Sequence, residues 1–149
     1  RGLLEWTLHQ YVWHARPLPW LGIRLPNAVT RMHQAHHEHP HDLDTLFFGW
    51  RSVMLATLLM LLLFPLLLPL PQALVLALSL LLVIAAYEWC HLVAHSRIRP
   101  RGAAFRRLIA THRHHHFRDA RRALGVSSAL GDRLFGTAVP ERAVQETTA

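Results

Sequence analysis

Residues 52–87 read SVMLATLLMLLLFPLLLPLPQALVLALSLLLVIAAY, from Ser52 to Tyr87, without one charged side chain. As a single helix rising about 1.5 Å per residue, this stretch would run about 54 Å, far beyond a hydrocarbon core of ~30 Å. It has to turn back on itself. Pro65, Pro69 and Pro71 mark the turn, because proline lacks an N–H and crowds the preceding helical turn. Two limbs result, about Ser52 to Leu68 and Gln72 to Glu88. Both are apolar on every side, which suits lipid better than the core of a soluble helical hairpin.

A hairpin crosses a membrane an even number of times, so the segments before Ser52 and after Glu88 share one side. All thirteen histidines lie in those segments. Eleven arginines follow His95, whereas the Pro69 to Gln72 turn is uncharged. By the positive-inside rule the histidine side is cytoplasmic. Cys90 is the only cysteine, which excludes an intrachain disulfide or a thiolate metal cluster and fits a reducing compartment.

The 149 residues carry sixteen basic side chains, all arginine, against nine acidic ones. This surplus calls for an anionic neighbour, and the apolar run makes that neighbour a membrane surface rather than nucleic acid. Arg1 to Trp6 show neither a signal peptide nor a start site, so the chain reads as a fragment that has lost upstream sequence. Leu3 to His14 reads as a helix, followed by a connector with Pro17, Pro19 and Pro26. Asn27 can cap a helix from Ala28 to Glu38, closed by Pro40. The second limb is expected to continue to about Ser96, and a further helix to cover Ala103 to Phe117. Gly125 to Thr137 reads as ordered loop. Residues 1–137 form one domain containing a hairpin at about 52–88, and residues 138–149 are expected to be a flexible tail.

The histidines arrive in four clusters: His9 with His14; His33, His36 and His37; His91 with His95; His112, His115 and His116. Residues three and four apart share a helix face, so the last three clusters each present converging imidazoles. His9 and His14 stand about 140° apart on an ideal helix, so they serve different metals or need a helix distortion. Ten imidazoles exceed what one ion takes and fit two. Imidazole suits zinc, iron and copper alike. A metal transporter would instead place ligands inside the spans, and Ser52 to Tyr87 holds no histidine or carboxylate.

His39, His41 and His114 fit no repeated spacing and are expected to be solvated or to support the ligands. Glu88 shares a face with His91 and His95, where its carboxylate could orient an imidazole or could equally be a charged residue marking the lipid boundary. Asp42 and Asp44 read as loop acids. Trp6, Trp13, Trp20, Trp50 and Trp89 suit a membrane-interface belt.

The order HX4H, HX2HH, HX3H, HX2HH resembles the fatty acid hydroxylase superfamily, which includes sterol desaturases. Supporting words are Glu5-Trp6-Thr7-Leu8-His9, Tyr87-Glu88-Trp89-Cys90-His91, Gly125-Val126-Ser127-Ser128 and Asp132-Arg133-Leu134-Phe135-Gly136-Thr137. The five-residue step in the first box is more similar to fatty acid 2-hydroxylases than to sterol desaturases. The resemblance implies an all-α membrane protein in which a helical hairpin carries a cytosolic helical cap with a histidine-rich di-metal site. Two iron ions are expected, with zinc able to take the same ligands in an isolated protein. The implied reaction hydroxylates an aliphatic C–H bond of a fatty acyl lipid with O2. Electrons are to come from a cytochrome b5-like protein or ferredoxin, since the chain carries no haem, flavin or nicotinamide motif. The alternatives are a lipid or sterol desaturase using the same centre, or a non-catalytic membrane metal-binding protein.

Overall fold

A computed structural model describes residues 2–15 and 28–148. The Pro17, Pro19 and Pro26 connector, Trp20 and the Asn27 cap lie outside the described residues. Among those described, every regular element is helical: α1 (Gly2–Leu8) running into a π-helical segment (His9–Trp13), then α2 (Ala28–Glu38), α3 (Leu43–Leu46) and α4 (Trp50–Leu67). They are followed by α5 (Leu70–His95), α6 (Ala103–Phe117), α7 (Leu130–Leu134) and α8 (Glu141–Thr148).

α4 and α5 are the two limbs, packed against one another, and both are long and apolar enough to cross a membrane. The turn is tighter than the three prolines suggest. It sits at Leu68 and Pro69, with the Leu68 N–H donating to Phe64 O. Pro65 lies inside the last turns of α4, and Pro71 lies in the first turn of α5, where a missing N–H costs nothing. Ala73 and Ala77, four residues apart, are buried on α5, and such small residues let helix backbones approach closely. Thr57 and Ser79 donate to the carbonyls of Val53 and Val75, so neither hydroxyl is left unpaired in lipid. Leu62, Leu66 and Leu82 are 66%, 75% and 62% exposed. A hairpin in a soluble core would bury them, so this apolar surface belongs to a membrane.

At about 1.5 Å per residue, some twenty residues cross the hydrocarbon core. The 26-residue α5 therefore outruns it. Its last two turns carry His91 and His95 into the cap. Trp50 and Trp89 are exposed at this level, as an interface belt requires, but Trp6 and Trp13 are buried. Trp13 packs with Tyr87, Cys90 and Val126, and Trp6 stacks on Phe135 at 4.1 Å. These two indoles are cap core rather than belt.

Where a flexible tail is expected, residues Glu141–Thr148 form α8. Val139 and Val144 are buried against Ala110 and Ala123, and Glu141 pairs with Arg107. Ala143 and Val144 are the only apolar residues among these eight, too few to announce a packed helix, and the contact partners are remote. Gly125 to Thr137 is likewise not all loop, since it contains α7.

Candidate metal centre

The described structure gathers the ten box histidines into two groups. His9, His14, His33, His37 and His115 form one; His36, His91, His95, His112 and His116 form the other. Within each group the ligand atoms lie within 4.8 Å of one another. His39, His41 and His114 belong to neither.

The boxes do not each converge on one point. In α2, His33 and His37 face the first group and His36 the second; in α6, His112 and His116 face the second and His115 the first. Helix geometry accounts for the split. Positions i and i+4 stand only about 40° apart, whereas i+3 and i+4 are about 100° apart. An HX2HH helix thus lies between the two groups and feeds both. His37 and His116, one from each group, stack at 4.1 Å.

His9 and His14 serve the same group, and the backbone distorts to let them. The His14 N–H donates to His9 O at 2.9 Å, an i to i+5 bond that widens the helix over His9–Trp13. The two rings then lie parallel, within 3°, with centroids 5.0 Å apart.

Nε2 atoms meet at short range in the first group, and in the second those of His95 and His112 lie 3.3 Å apart. His33 has those of His9, His14 and His37 at 3.1 Å, and His115 has those of His14 and His37 at 3.2 Å. A common centre at about 2.0–2.1 Å from each nitrogen would separate neighbouring nitrogens by roughly 3.0–3.4 Å. The spacing therefore fits a metal. Burial, reinforced by neighbouring histidines, holds His9, His33, His112, His115 and His116 well below the usual imidazole range. Burial brings His36 down to about 4 and His37 to about 3. Neutral imidazoles keep a lone pair for a metal, and their converging lone pairs repel unless a cation sits among them. His36 and His116 have both ring nitrogens buried without a hydrogen-bond partner among the described residues, as expected of groups built for another ligand.

The first group is oriented from outside by one strap of backbone. His9 Nδ1 donates to Leu124 O at 2.5 Å, and His115 Nδ1 donates to Arg122 O at 2.8 Å. Each bond fixes the tautomer and turns Nε2 inward. Ala123, between these carbonyls, takes a left-handed conformation at φ 53°, strained for a residue with a Cβ. Two buried carboxylates hold the strap. Asp132 accepts from Leu124 N–H at 2.8 Å, Gly125 N–H at 2.9 Å and the Thr137 hydroxyl at 2.6 Å. Glu5 accepts from the Val126 and Ser127 N–H groups and the Ser127 hydroxyl. A side chain at Gly125 would strike the Ser128 carbonyl and the Asp132 carboxylate, and one at Gly131 the Trp6 indole.

Glu5, Asp132 and the strap carbonyls are absent from the residue roles read off the sequence, although Glu5 and Asp132 stand inside the words that carry the family resemblance. Glu88 precedes His91 on α5. Its Oε1 accepts from Phe48 N–H at 2.7 Å, tying the start of α4 to α5. Its described partner is thus backbone, because the chain entering α4 leaves an N–H there to satisfy, while Oε2 is buried with no hydrogen-bond partner among the described residues. His41 Nδ1 reaches His95 O at 3.3 Å from an exposed position. Asp42 accepts from the Asp44 N–H at the start of α3, a loop role as expected. Arg113 donates to Ala94 O and Ser96 O, both at 2.8 Å, closing the C-terminus of α5 beside the site.

Two apolar cavities lead here. One of about 420 Å³ runs along the hairpin beside Val53, Ala56, Met60, Val83 and Ile84. The other, about 360 Å³, reaches His33, His36 and His91. Leu8, Trp13, Phe48, Ser52 and Tyr87 line both.

The sequence model of the family described as fatty acid hydroxylase matches residues 1–137. A dihydroceramide fatty acyl 2-hydroxylase from Arabidopsis thaliana is 32% identical over 141 residues, covering 91% of this chain and 55% of that protein. Fatty acid 2-hydroxylases from Rattus norvegicus and Homo sapiens are both 29% identical, each alignment covering 95% of this chain and 39% and 38% of those proteins. The chain thus spans about half the length, or less, of these relatives. No solved structure matches it.

Proposed function

The chain belongs to the fatty acid hydroxylase family, and from that membership we propose that it hydroxylates an aliphatic C–H bond of a fatty acyl lipid at a histidine-held di-metal centre. The observation that carries this reading is the apolar passage from the hairpin surface to His33, His36 and His91. An unactivated C–H bond has no acidic proton and no leaving group, so acid–base chemistry cannot functionalise it. When bound, two redox-active ions supply the one-electron chemistry the bond requires, and iron is the expected metal. His9, His14, His33, His37 and His115 would hold one ion, and His36, His91, His95, His112 and His116 the other.

The chain's own residues do the rest. Leu4, Leu8, Ala56, Met60, Val83 and Ile84 offer the acyl chain an apolar wall open towards lipid. Trp13, Phe48 and Tyr87, with ring centroids 5.5–5.9 Å apart, form the neck between the two cavities. They hold the chain beside the histidines and keep water out. Arg122 and Leu124 carbonyls keep two imidazoles in the ligating tautomer. Electrons come from a separate carrier such as a cytochrome b5-like protein or ferredoxin.

The full-length protein, purified in detergent with iron and supplied with reductant, O2 and a fatty acyl substrate, is expected to give a hydroxylated lipid whose oxygen derives from 18O2. Zinc should preserve the fold and abolish turnover. Label from water, or full turnover with zinc, would refute the oxygenase reading. A new double bond without oxygen would assign the desaturase reaction instead.

The cap is proposed to face the cytoplasm, a reading supported by the arginines that follow His95. A membrane-impermeant thiol reagent should label a cysteine placed at Leu68 from outside the cytoplasm, and one placed at Arg121 only from within. Labelling of both from one side would contradict this topology.

A further inference from the structure

A third cavity lies on the opposite side of α1 from the lipid passage. Leu4 and Leu8 line the apolar cavity, whereas Trp6, Gln10, Tyr11, His14, Ala120, Arg121 and Thr137 line a mixed polar cleft of about 430 Å³. Two residues turn a helix by about 200°, so Trp6 points away from the side of Leu4 and Leu8. The cleft therefore opens on the face turned from the acyl wall. It nevertheless reaches a member of the first histidine group, His14.

The rim has the composition of a protein-binding patch. Tyr11 and Phe135 are 64% and 54% exposed, and both pack on Trp6. Arg118, Arg121 and Arg122 are exposed along the segment that flanks the cleft, where Asp119 is the only carboxylate between Arg118 and Ala129. Exposed aromatics beside arginine are enriched where proteins dock. The local charge is positive, as is the whole chain at +7.

The chemistry names the occupant. Hydroxylation by the proposed route balances as R–H + O2 + 2 H⁺ + 2 e⁻ → R–OH + H2O. Two electrons per turnover must enter from outside, one from each of two reduced carriers, and each carrier leaves oxidised. The entry point has to lie close to the histidines and away from the lipid that fills the other passage. We infer that the cleft over His14 is the docking site of an acidic one-electron carrier protein, with Tyr11, Phe135 and Arg121 as its contacts. Electrons pass from it to the first histidine group by way of the His14 ring. The inference rests on the hydroxylase reading, which creates the need for electrons.

The test uses the full-length, iron-loaded protein in nanodiscs, with two acidic probes, a [2Fe–2S] ferredoxin and a soluble cytochrome b5 domain. Turnover is measured with each carrier and, separately, with dithionite. Arg121→Glu and Tyr11→Ala should each raise the carrier KM about tenfold while leaving dithionite-driven turnover unchanged. Arg97→Glu, in the loop beyond α5, should leave both unchanged. Metal content equal to wild type certifies folding, and Arg121→Gln serves if the charge reversal does not fold. Failure of dithionite-driven hydroxylation in wild type would count against the hydroxylase reading. Intact dithionite turnover with no reduction by either carrier, or with carrier KM insensitive to both cleft variants, would overturn the docking site. So would a loss confined to binding of phosphatidylserine vesicles, which would assign Arg121 to the membrane.

Discussion

His36→Ala and His112→Ala are each expected to lower activity below about 1% of wild type and to remove at least one of the two proposed metal ions. The His36 ring lies 4.6–4.7 Å from those of His91, His95 and His116. It is the only member of that group contributed by α2. Alanine there removes a nitrogen that nothing nearby can replace, and it opens a hole between two groups. His112 is fully buried, with Nε2 3.3 Å from that of His95. A lost ligand should cost more than the 10–100-fold typical of residues that only support ligands. His39→Ala and His41→Ala are the controls. Both residues are exposed, and the second loses only a long hydrogen bond to His95 O, worth about 1 kcal/mol or less. Metal analysis and product mass spectrometry read the result. Equal losses from all four variants would show that the ten-ligand assignment is wrong.

The hairpin was readable because its signals are local. Apolar residues on every face and proline at Pro69 and Pro71 need no knowledge of the rest of the chain, and Pro40, just beyond the end of α2, is an equally local cue. The boxes were readable as residue types, but their partition was not read. Treating His33, His36 and His37 as one converging set overlooks the roughly 100° between adjacent positions, and it is this angle that sends His36 to the second group. The first box left two readings open, different metals or a distorted helix. The choice depends on whether α2 and α6 bring His33, His37 and His115 to the same place, which is tertiary information. They do, and the π-helical segment follows.

The supporting carboxylates were hidden for a related reason. Glu5 holds Ser127 from 122 positions away in the chain, so no periodicity or short motif connects them. Glu88 shares a face with His91, and the Phe48 N–H arriving from another segment binds its Oε1, a contact that helix-face arithmetic cannot give. Trp6 and Trp13 were not legible either, since an indole near a membrane boundary can belong to a belt or to the cap above it. Burial decides, and only contacts across the chain show it.

Those remote contacts carry the second large effect. Asp132→Ala is expected to destabilise the protein by about 3–5 kcal/mol, because it strips the acceptor from two buried N–H groups and a hydroxyl at about 1–3 kcal/mol each. The consequence for the site is selective. The Leu124 N–H, once held by Asp132, lies in the residue whose carbonyl orients His9. A loosened Leu124 releases the His9 tautomer and weakens the first group, by about 10–100-fold in metal affinity. The described hydrogen bonds of the strap reach the second group nowhere. Glu5→Ala tests the same strap from its other end. It removes both oxygens that accept from the Val126 and Ser127 N–H groups and the Ser127 hydroxyl, whereas glutamine would keep one oxygen for the two N–H groups and offer the hydroxyl an amide donor. Metal titration of the folded Glu5→Ala protein should show one tight ion where wild type is expected to hold two. Retention of two equally tight ions, or parallel loss of both, would separate the strap from the first group and leave Glu5 and Asp132 as fold residues only.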